Sequence, residues 1–404
     1  MSRQNPLTLL AIASYEKGHA FLRQAKAGGA RVFLLTSLSL KESAQWPREA
    51  LDDLFYMPDE SKVWNLDDTL KAVSYLARTE PIDRIVPLDD FDLEKAATLR
   101  EHLRLPGLGE SATRHFRDKL AMRTVAARAG IAVPDFIHVL HHGRLQEFID
   151  RVPAPWVLKP RSSAGAMGIK KIHDAAELWS ALEQLGDEQS HYLLERYVPG
   201  DIFHVDTIVY NGEIRFNVAS GYGRPPMDVA HGGGVFTTQL IERGSPLEQN
   251  LLALNREVLA ALGLNLGVAH TEFIAGHDGR LYFLETAARV GGAHIADLVE
   301  AATGINLWAE WARVEIAGGE QEYQLPPVRD DYAGLLVSLA KQENPDTSAY
   351  TDSEIVWRLD KKNHVGFIVR SASRDRVTEV INSLTARVQN DFWAFAPARE
   401  RPTE

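Results

Sequence analysis

Residues 268–275 and 281–287 are two apolar, aromatic-rich stretches separated by a turn signal, and they constrain the fold more than any other part of the chain. The dipeptide Asp278-Gly279 between them favours a two-residue type I′ turn, so a β-hairpin is expected. Counting outward from that turn places Glu272 opposite Glu285. Opposed strand residues hold their Cβ atoms only about 4.5–5.5 Å apart, where like charges repel. A cation between them resolves the conflict, and Mg2+ suits two carboxylates plus the phosphates of a substrate. The two-residue period carries the same face to His270, Ala287 and Arg289, whose guanidinium would grip a phosphate or carboxylate. Val268, Ile274, Leu281 and Phe283, assigned to this face as well, argue for burial; the alternative is a solvated hairpin surface.

The 404 residues allow two or three domains, and 45% hydrophobic with 25% charged residues is an ordinary globular balance. A net charge of −11 argues against a non-specific nucleic-acid binder. The absence of cysteine excludes disulfides, thiolate metal sites and thiol catalysis. Residues 1–6 carry no signal-peptide pattern, and no apolar run approaches the ~18 residues of a membrane span, so a cytoplasmic enzyme with no membrane partner is expected.

Early in the chain, strands at 7–13, 31–36 and 83–88 alternate with helices at 15–27, 66–79 and 90–103, which predicts a small parallel sheet. A long helix at 111–129 stops at Gly130 and Pro134. Strands at 136–140, 155–160, 169–172, 191–196, 202–210 and 213–220, with helices at 143–150 and 174–185, give an α+β body. Helices at 245–262, 293–302 and 306–317 flank the hairpin. Gly318-Gly319 and the stretch 325–327 mark a boundary before a compact tail with strands at 332–340, 354–360 and 363–370 and a helix at 373–389. The expected domains are therefore 1–110, 111–325 with a lid at about 135–200, and 326–404.

The turn after the first strand, residues 13–18, lacks the G-x-G-x-x-G fingerprint, and no Walker A sequence occurs, so phosphates must be held by other means. Lys159 ends an apolar strand and points beyond it. The small residues of 161–168, among them Ser162, Ser163, Gly165 and Gly168, would let backbone N–H groups approach an anion. Lys119, taken singly, is more often a surface residue of its helix. His231 and Gly233, in a glycine-rich segment at 229–236, either line a substrate pocket or belong to a flexible connection. Gly291-Gly292, ahead of a helix expected to begin at Ala293, either binds a substrate carboxylate or makes a tight turn. His141-His142 is read as a loop before a helix, and Trp308 and Trp311 as core packing.

In their order along the chain, Lys119, Lys159, the Ser/Gly loop, the run 194–200, Glu272, Glu285 and Arg289 resemble the ATP-grasp superfamily. The motif D-K-x-x-x-R at 118–123, closed by A-G-I-x-V-P at 129–134, belongs to the same pattern, which covers roughly residues 85–320. E-x-x-x-R followed by a glycine pair is most similar to the carboxylate–amine ligases that join amino acids. The resemblance implies an ATP-grasp fold of mixed α/β and α+β class, with an N-terminal Rossmann-like (pre-ATP-grasp) domain and a small C-terminal α+β domain. It further implies that Lys119 and Lys159 hold the α- and β-phosphates of ATP under a lid at 162–168. Glu195 would receive the adenine amino group beside the backbone of Tyr197 and Val198, and Glu272 and Glu285 would bind Mg2+ or Mn2+. Relatives place a glutamate for the ribose where this chain has Ile202, leaving Asp201 or His204 as substitutes. They also place an asparagine metal ligand where this chain has Ala287, so either Glu285 bridges two ions or His270 assists; the bridge is favoured because histidine is a poor Mg2+ ligand. Lys159 and Arg289 would act in catalysis. His231, Gly233, Arg289, Gly291 and Gly292 would meet a small carboxylate and an amine, joined through an acyl phosphate; a homodimer is common among such enzymes. A biotin-carboxylase-like or purine-pathway enzyme and an ATP sensor without turnover are the rival readings.

Overall fold

The structure, a computed structural model, describes residues 6–163 and 167–394, with only the backbone for Ala230 and His231. The first apolar runs form the expected parallel sheet, in the order Asp53–Met57, Arg31–Ser37, Thr8–Ala13, Arg84–Pro87. Asp53–Met57, not anticipated, is a short edge strand with one buried residue. Helix His19–Ala27 packs on helix Leu307–Ala317, with Phe21 edge-on to Trp311 at 5.4 Å between ring centroids, so Trp311 is core as expected.

A second, antiparallel sheet runs Phe136–His138, Tyr192–Arg196, Trp156–Pro160, Lys170–Ile172. Alternation sends Trp156 and Leu158 into a core under helices His142–Arg151 and Ala175–Leu185. Val157 and Lys159 therefore face the opposite way. His141 caps the first of these helices by accepting from the backbone N–H of Arg144 at 3.2 Å, a helix start rather than a metal site.

The third sheet has eight strands, ordered Leu281–Ala287, Leu266–Gly276, Gly200–Tyr210, Glu213–Tyr222, Phe236–Leu240, Tyr332–Leu339, His364–Ser371, Ile355–Arg358. The tail strands join this sheet rather than building one of their own. Phe236–Leu240, a Thr-rich strand, pairs with Tyr332–Leu339 and makes the tail continuous with the central sheet. Helix Arg374–Asp391 covers this end through Val377, Ile381 and Leu384. One face of the opposite end, bearing Val205, Phe273 and Phe283, packs on helix Pro246–Leu262. The other face bears Ile202, His204, Asp206, His270 and Glu272.

The hairpin forms, but by a different route from the one anticipated. Gly276 pairs with Arg280 across a three-residue loop in which Gly279 takes φ +79°, a type I turn closed by a left-handed glycine. Near the turn the register is thus one residue off, with Phe273 opposite Phe283. A β-bulge at Leu284 restores it, so that Glu272 faces Glu285 and His270 faces Ala287. The same bulge puts Leu281 and Phe283 on the face opposite Glu285, which corrects their assignment.

The expected helix at 111–129 is broken. Helix Glu110–Thr113 and a 3-10 turn end at Arg117, and a new helix, Lys119–Arg128, starts under Asp118, whose carboxylate accepts from the N–H of Leu120 at 3.0 Å. Lys119 is therefore the first residue of a helix, not a mid-helix surface residue. Likewise the helix after the glycine pair, Ile295–Thr303, begins two residues later than expected, because Ala293 and His294 take positive φ of 50° and 65°.

Candidate active site

The second and third sheets and the end of the parallel sheet enclose a cavity of about 380 Å3. Lys119, Lys159, Glu195, Glu272, Glu285 and Arg289 all line it, together with Ser163, Tyr197, Val198 and Gly292. These residues, which the family resemblance would place in one site, line one cavity.

Glu272 and Glu285 are opposed as expected, each with a partner of its own. Glu272 accepts from the Tyr222 hydroxyl at 2.7 Å and lies 3.6 Å from His270 Nε2; Glu285 lies 2.9 Å from Lys119 Nζ. Burial pushes the Glu272 carboxyl up, but His270 and Tyr222 outweigh it and hold the group below the usual glutamate range. Two hard oxygen donors side by side, each balanced only by a cation or hydroxyl at its edge, fit a Mg2+ ion completed by phosphate and water oxygens.

Lys119 also donates to the backbone oxygen of Ser163 at 2.7 Å, which ties the helix start to the loop after Lys159. Ser162 is exposed, and Gly168 takes φ +70° with its Cα against Pro160, where a Cβ would come within 2.9 Å of Cγ. Gly165 lies outside the described residues. Lys159 is buried, and its ammonium is pushed down to about 8 by that burial, against the pull of Glu195, to which it is hydrogen-bonded. Glu195 has a different occupation from the adenine contact expected. Arg123 donates to its second oxygen through Nε at 3.2 Å and Nη2 at 3.1 Å, so both carboxylate oxygens already hold cations. Arg123 reaches with its third nitrogen to the carbonyl of Leu284, the bulge residue. One buried guanidinium thereby joins the lid sheet to the irregularity that aligns the two glutamates. Its i+4 spacing from Lys119 was the sequence signal.

His204 does not reach the cavity, which removes it as a ribose ligand. It is fully buried, with Nδ1 2.8 Å from Asp206 and Nε2 2.8 Å from the Thr238 hydroxyl. Asp206 binds His270 Nδ1 at 2.9 Å through its other oxygen. Burial alone would lower the His270 value, but Asp206 raises it to about 9. Gly291 packs against this pair; a Cβ there would stand 2.9 Å from Asp206 Oδ1 and 3.0 Å from His270 Nδ1. Gly291 thus serves close packing, while Gly292 faces open cavity. Gly233 is absent from the lining among the described residues, and its carbonyl is held by Arg224 at 3.3 Å; the His231 side chain lies outside the described residues. The segment before it, Pro226–Gly232, is a short helix, and Pro225, Pro226 and Met227 supply the wall there.

Arg289 is not a free cation. Its Nε and Nη2 lie 2.7 and 2.6 Å from one oxygen of Asp90, at the end of the parallel sheet, and Nη1 donates to the Val290 carbonyl at 2.8 Å. Asp90 and Arg117, both lining the cavity, were not anticipated, because nothing local in the sequence links them to the hairpin.

Residues 152–297 match the ATP-grasp domain family. This segment of the chain is an ATP-grasp domain. Over 248 residues it is 27% identical to the L-arginine-specific L-amino acid ligase of Bacillus subtilis, which covers 60% of this chain and 59% of that one. Over 195 residues it is 24% identical to a D-alanine–D-alanine ligase of Bacillus anthracis, covering 45% and 60%. The matches thus span less than two thirds of these relatives' lengths. An L-amino acid ligase structure from Bacillus licheniformis superposes with a TM-score of 0.74 at 18% identity, covering 97% of this chain and 99% of that one. N5-carboxyaminoimidazole synthetase from Staphylococcus aureus gives 0.72 at 17% identity, covering 95% and 98%. At these identities the likeness is one of fold. The ATP-grasp core here is the pair of antiparallel sheets that face each other across the cavity. No helix among the described residues is long and apolar enough to cross a membrane.

Proposed function

We propose that this ATP-grasp protein is a ligase that joins a small carboxylic acid, an amino acid by preference, to an amine, with ADP and phosphate as products. The observation that carries the reading is the opposition of Glu272 and Glu285 in a cavity that also receives Lys119 and Lys159. The adenine would lie in the apolar slot of Val157, Ile169, Val198, Ile202, Ile274 and Leu284, with the backbone at Tyr197 and Val198 reading its edge. Its phosphates would extend toward Lys119 and Lys159, under the loop that carries Ser162, Ser163 and Gly168. Glu272 and Glu285 would hold Mg2+ or Mn2+, an ion that in such sites neutralises charge on the transferring phosphoryl group.

Lys159, buried and nearly balanced by Glu195, offers its charge to a phosphate without first shedding a shell of water. A carboxylate oxygen of the first substrate attacks the terminal phosphorus, ADP departs, and an acyl phosphate results. The nitrogen of the second substrate then attacks the acyl carbon, the C–O bond to phosphate breaks, and the nitrogen gives up a proton. Tyr222, Pro225, Pro226, Met227 and Phe236 supply an apolar wall that accommodates a side chain and limits water near the acyl phosphate. Gly292, with no neighbour within 4 Å of a Cβ built there, leaves backbone open to a substrate carboxylate. The sequence similarity to an L-amino acid ligase supports amino acids as the substrate class, without carrying over arginine in particular.

A phosphate-release screen of amino acids taken in pairs, with product masses measured, tests this reading. Release that requires two substrates and yields a condensed product is expected. Release driven by bicarbonate alone would move the protein to carboxyphosphate chemistry, and no release with any pair would leave a nucleotide sensor.

A further inference from the structure

Among the described residues, one cation lining the cavity has no ion-pair partner. Lys119 has Glu285, Lys159 has Glu195, Arg289 has Asp90, and Arg196 has Asp135 at 3.2 Å. Arg117 lines the same cavity, is only 8% exposed, and its Nε has no hydrogen-bond partner. Among the described residues no carboxylate lies within ion-pair distance of it. Asp90, whose carboxylate feels the Arg117 charge at longer range, is already hydrogen-bonded to Arg289. A guanidinium withdrawn from water without a counter-ion is costly, and a fold retains one where a ligand completes it.

The local chain explains how the group is aimed. Arg117 is the break between the 3-10 turn Arg114–Phe116 and the helix capped by Asp118, with φ −134° and ψ −43°. Its guanidinium carbon lies 5.0 Å from the centre of the Phe91 ring, which presents a flat face from the end of the parallel sheet. That wall adjoins Asp90 and Arg289, whereas the cations facing the lid, Lys159 and Lys119, adjoin the phosphate end. A planar guanidinium with one edge unengaged matches a carboxylate, which it holds through two parallel hydrogen bonds.

We propose that Arg117 is the receptor for a substrate carboxylate, at the seam between the parallel sheet and the central sheet. The proposal deepens the ligase reading by adding a residue outside the E-x-x-x-R and glycine-pair motifs, and it rests on that reading for the identity of the anion. It takes from Arg289 the part of free anion ligand, since Arg289 is spent on Asp90.

Calorimetric titration of the full chain saturated with Mg-ADP separates this claim from the turnover claim, because binding is read without catalysis. The probes are L-alanine, L-methionine and L-arginine, each against its α-amide. Wild type is expected to bind at least one acid well above its amide. Arg117→Met is expected to lose that preference, with acid affinity falling roughly 10- to 100-fold, and Arg117→Lys to recover part of it. Mg-ADP affinity unchanged in the variants, with a melting temperature no lower than wild type, reports an intact fold. The assignment is overturned if wild type prefers no acid over its amide, or if Arg117→Met keeps the preference. It is also overturned if the loss appears instead in a non-hydrolysable ATP analogue relative to ADP, which would make the terminal phosphate the ligand. Failure of the phosphate-release screen with the acid preference intact would remove the ligase reading and leave this site standing.

Discussion

At Lys159 two demands on one charge compete. Burial lowers its value to about 8 in the free protein, while a nucleotide's phosphates favour the protonated form. Above about pH 8 the ammonium loses its proton, so Mg-ADP affinity is expected to fall there, with proton uptake on binding. Calorimetry across pH 6.5–9.5 in two buffers reads both effects, and Lys159→Gln should flatten the profile. The sign for stability is the reverse. Between about 8 and the ordinary lysine value the unfolded chain binds a proton that the folded chain has released, so this residue's contribution to stability rises with pH. For His270 the folded value is raised to about 9, so its stabilising contribution is full below the ordinary histidine range and is lost as pH climbs through 9. Asp206→Asn, which strips the carboxylate from between two histidines, should cost about 3–5 kcal/mol near neutral pH. Urea unfolding is expected to show that deficit shrinking above pH 9. Glu272 and Glu285 were legible in the sequence from strand periodicity and Lys159 from its place at the end of an apolar strand, whereas Lys119 entered only through the family resemblance. The His204, Asp206 and His270 cluster was not legible, since Asp206 and His270 are 64 positions apart, and Asp90 is 199 positions from Arg289.

At the scale of elements, two irregularities compensate one another. The longer turn shifts the hairpin by one residue, and the bulge at Leu284 shifts it back, so the expected opposition of Glu272 and Glu285 is observed although the turn type was not. Leu284 is the extra residue, so deleting it removes the bulge and leaves Glu285 directly after Phe283, still opposite Glu272. Protection of the protein by Mg-ADP against thermal unfolding should therefore persist in that deletion. Circular dichroism checks that the sheet persists; lost protection with the sheet intact would mean that the pairing of Phe273 with Phe283 does not hold the register. Helices were legible wherever a run was unbroken. The break at Arg117-Asp118 was missed because the apolar pattern continues across it, and only the Asp118 cap marks a new start.

For the whole molecule, charged contacts tie the three sheets together at the cavity: Asp90 with Arg289 on one side, and on the other Arg123, which bridges Glu195 of the second sheet and the Leu284 carbonyl of the third. The parallel sheet could be read from βαβ punctuation, but the tail's pairing through Phe236–Leu240 could not, because a strand's neighbours are not written in its own residues. Arg289→Ala would leave Asp90 buried without a partner and is expected to lower the melting temperature by loosening this seam. Adding Asp90→Asn, which removes the stranded charge, should recover part of that loss in thermal unfolding. The two opposed glutamates remain the centre of the account. The most direct test is phosphate release with an active amino-acid pair, titrated with Mg2+, for wild type, Glu272→Gln and Glu285→Gln. The account predicts substrate-dependent release in wild type and its collapse in both variants, with excess Mg2+ restoring little. Undiminished release in either variant would contradict it.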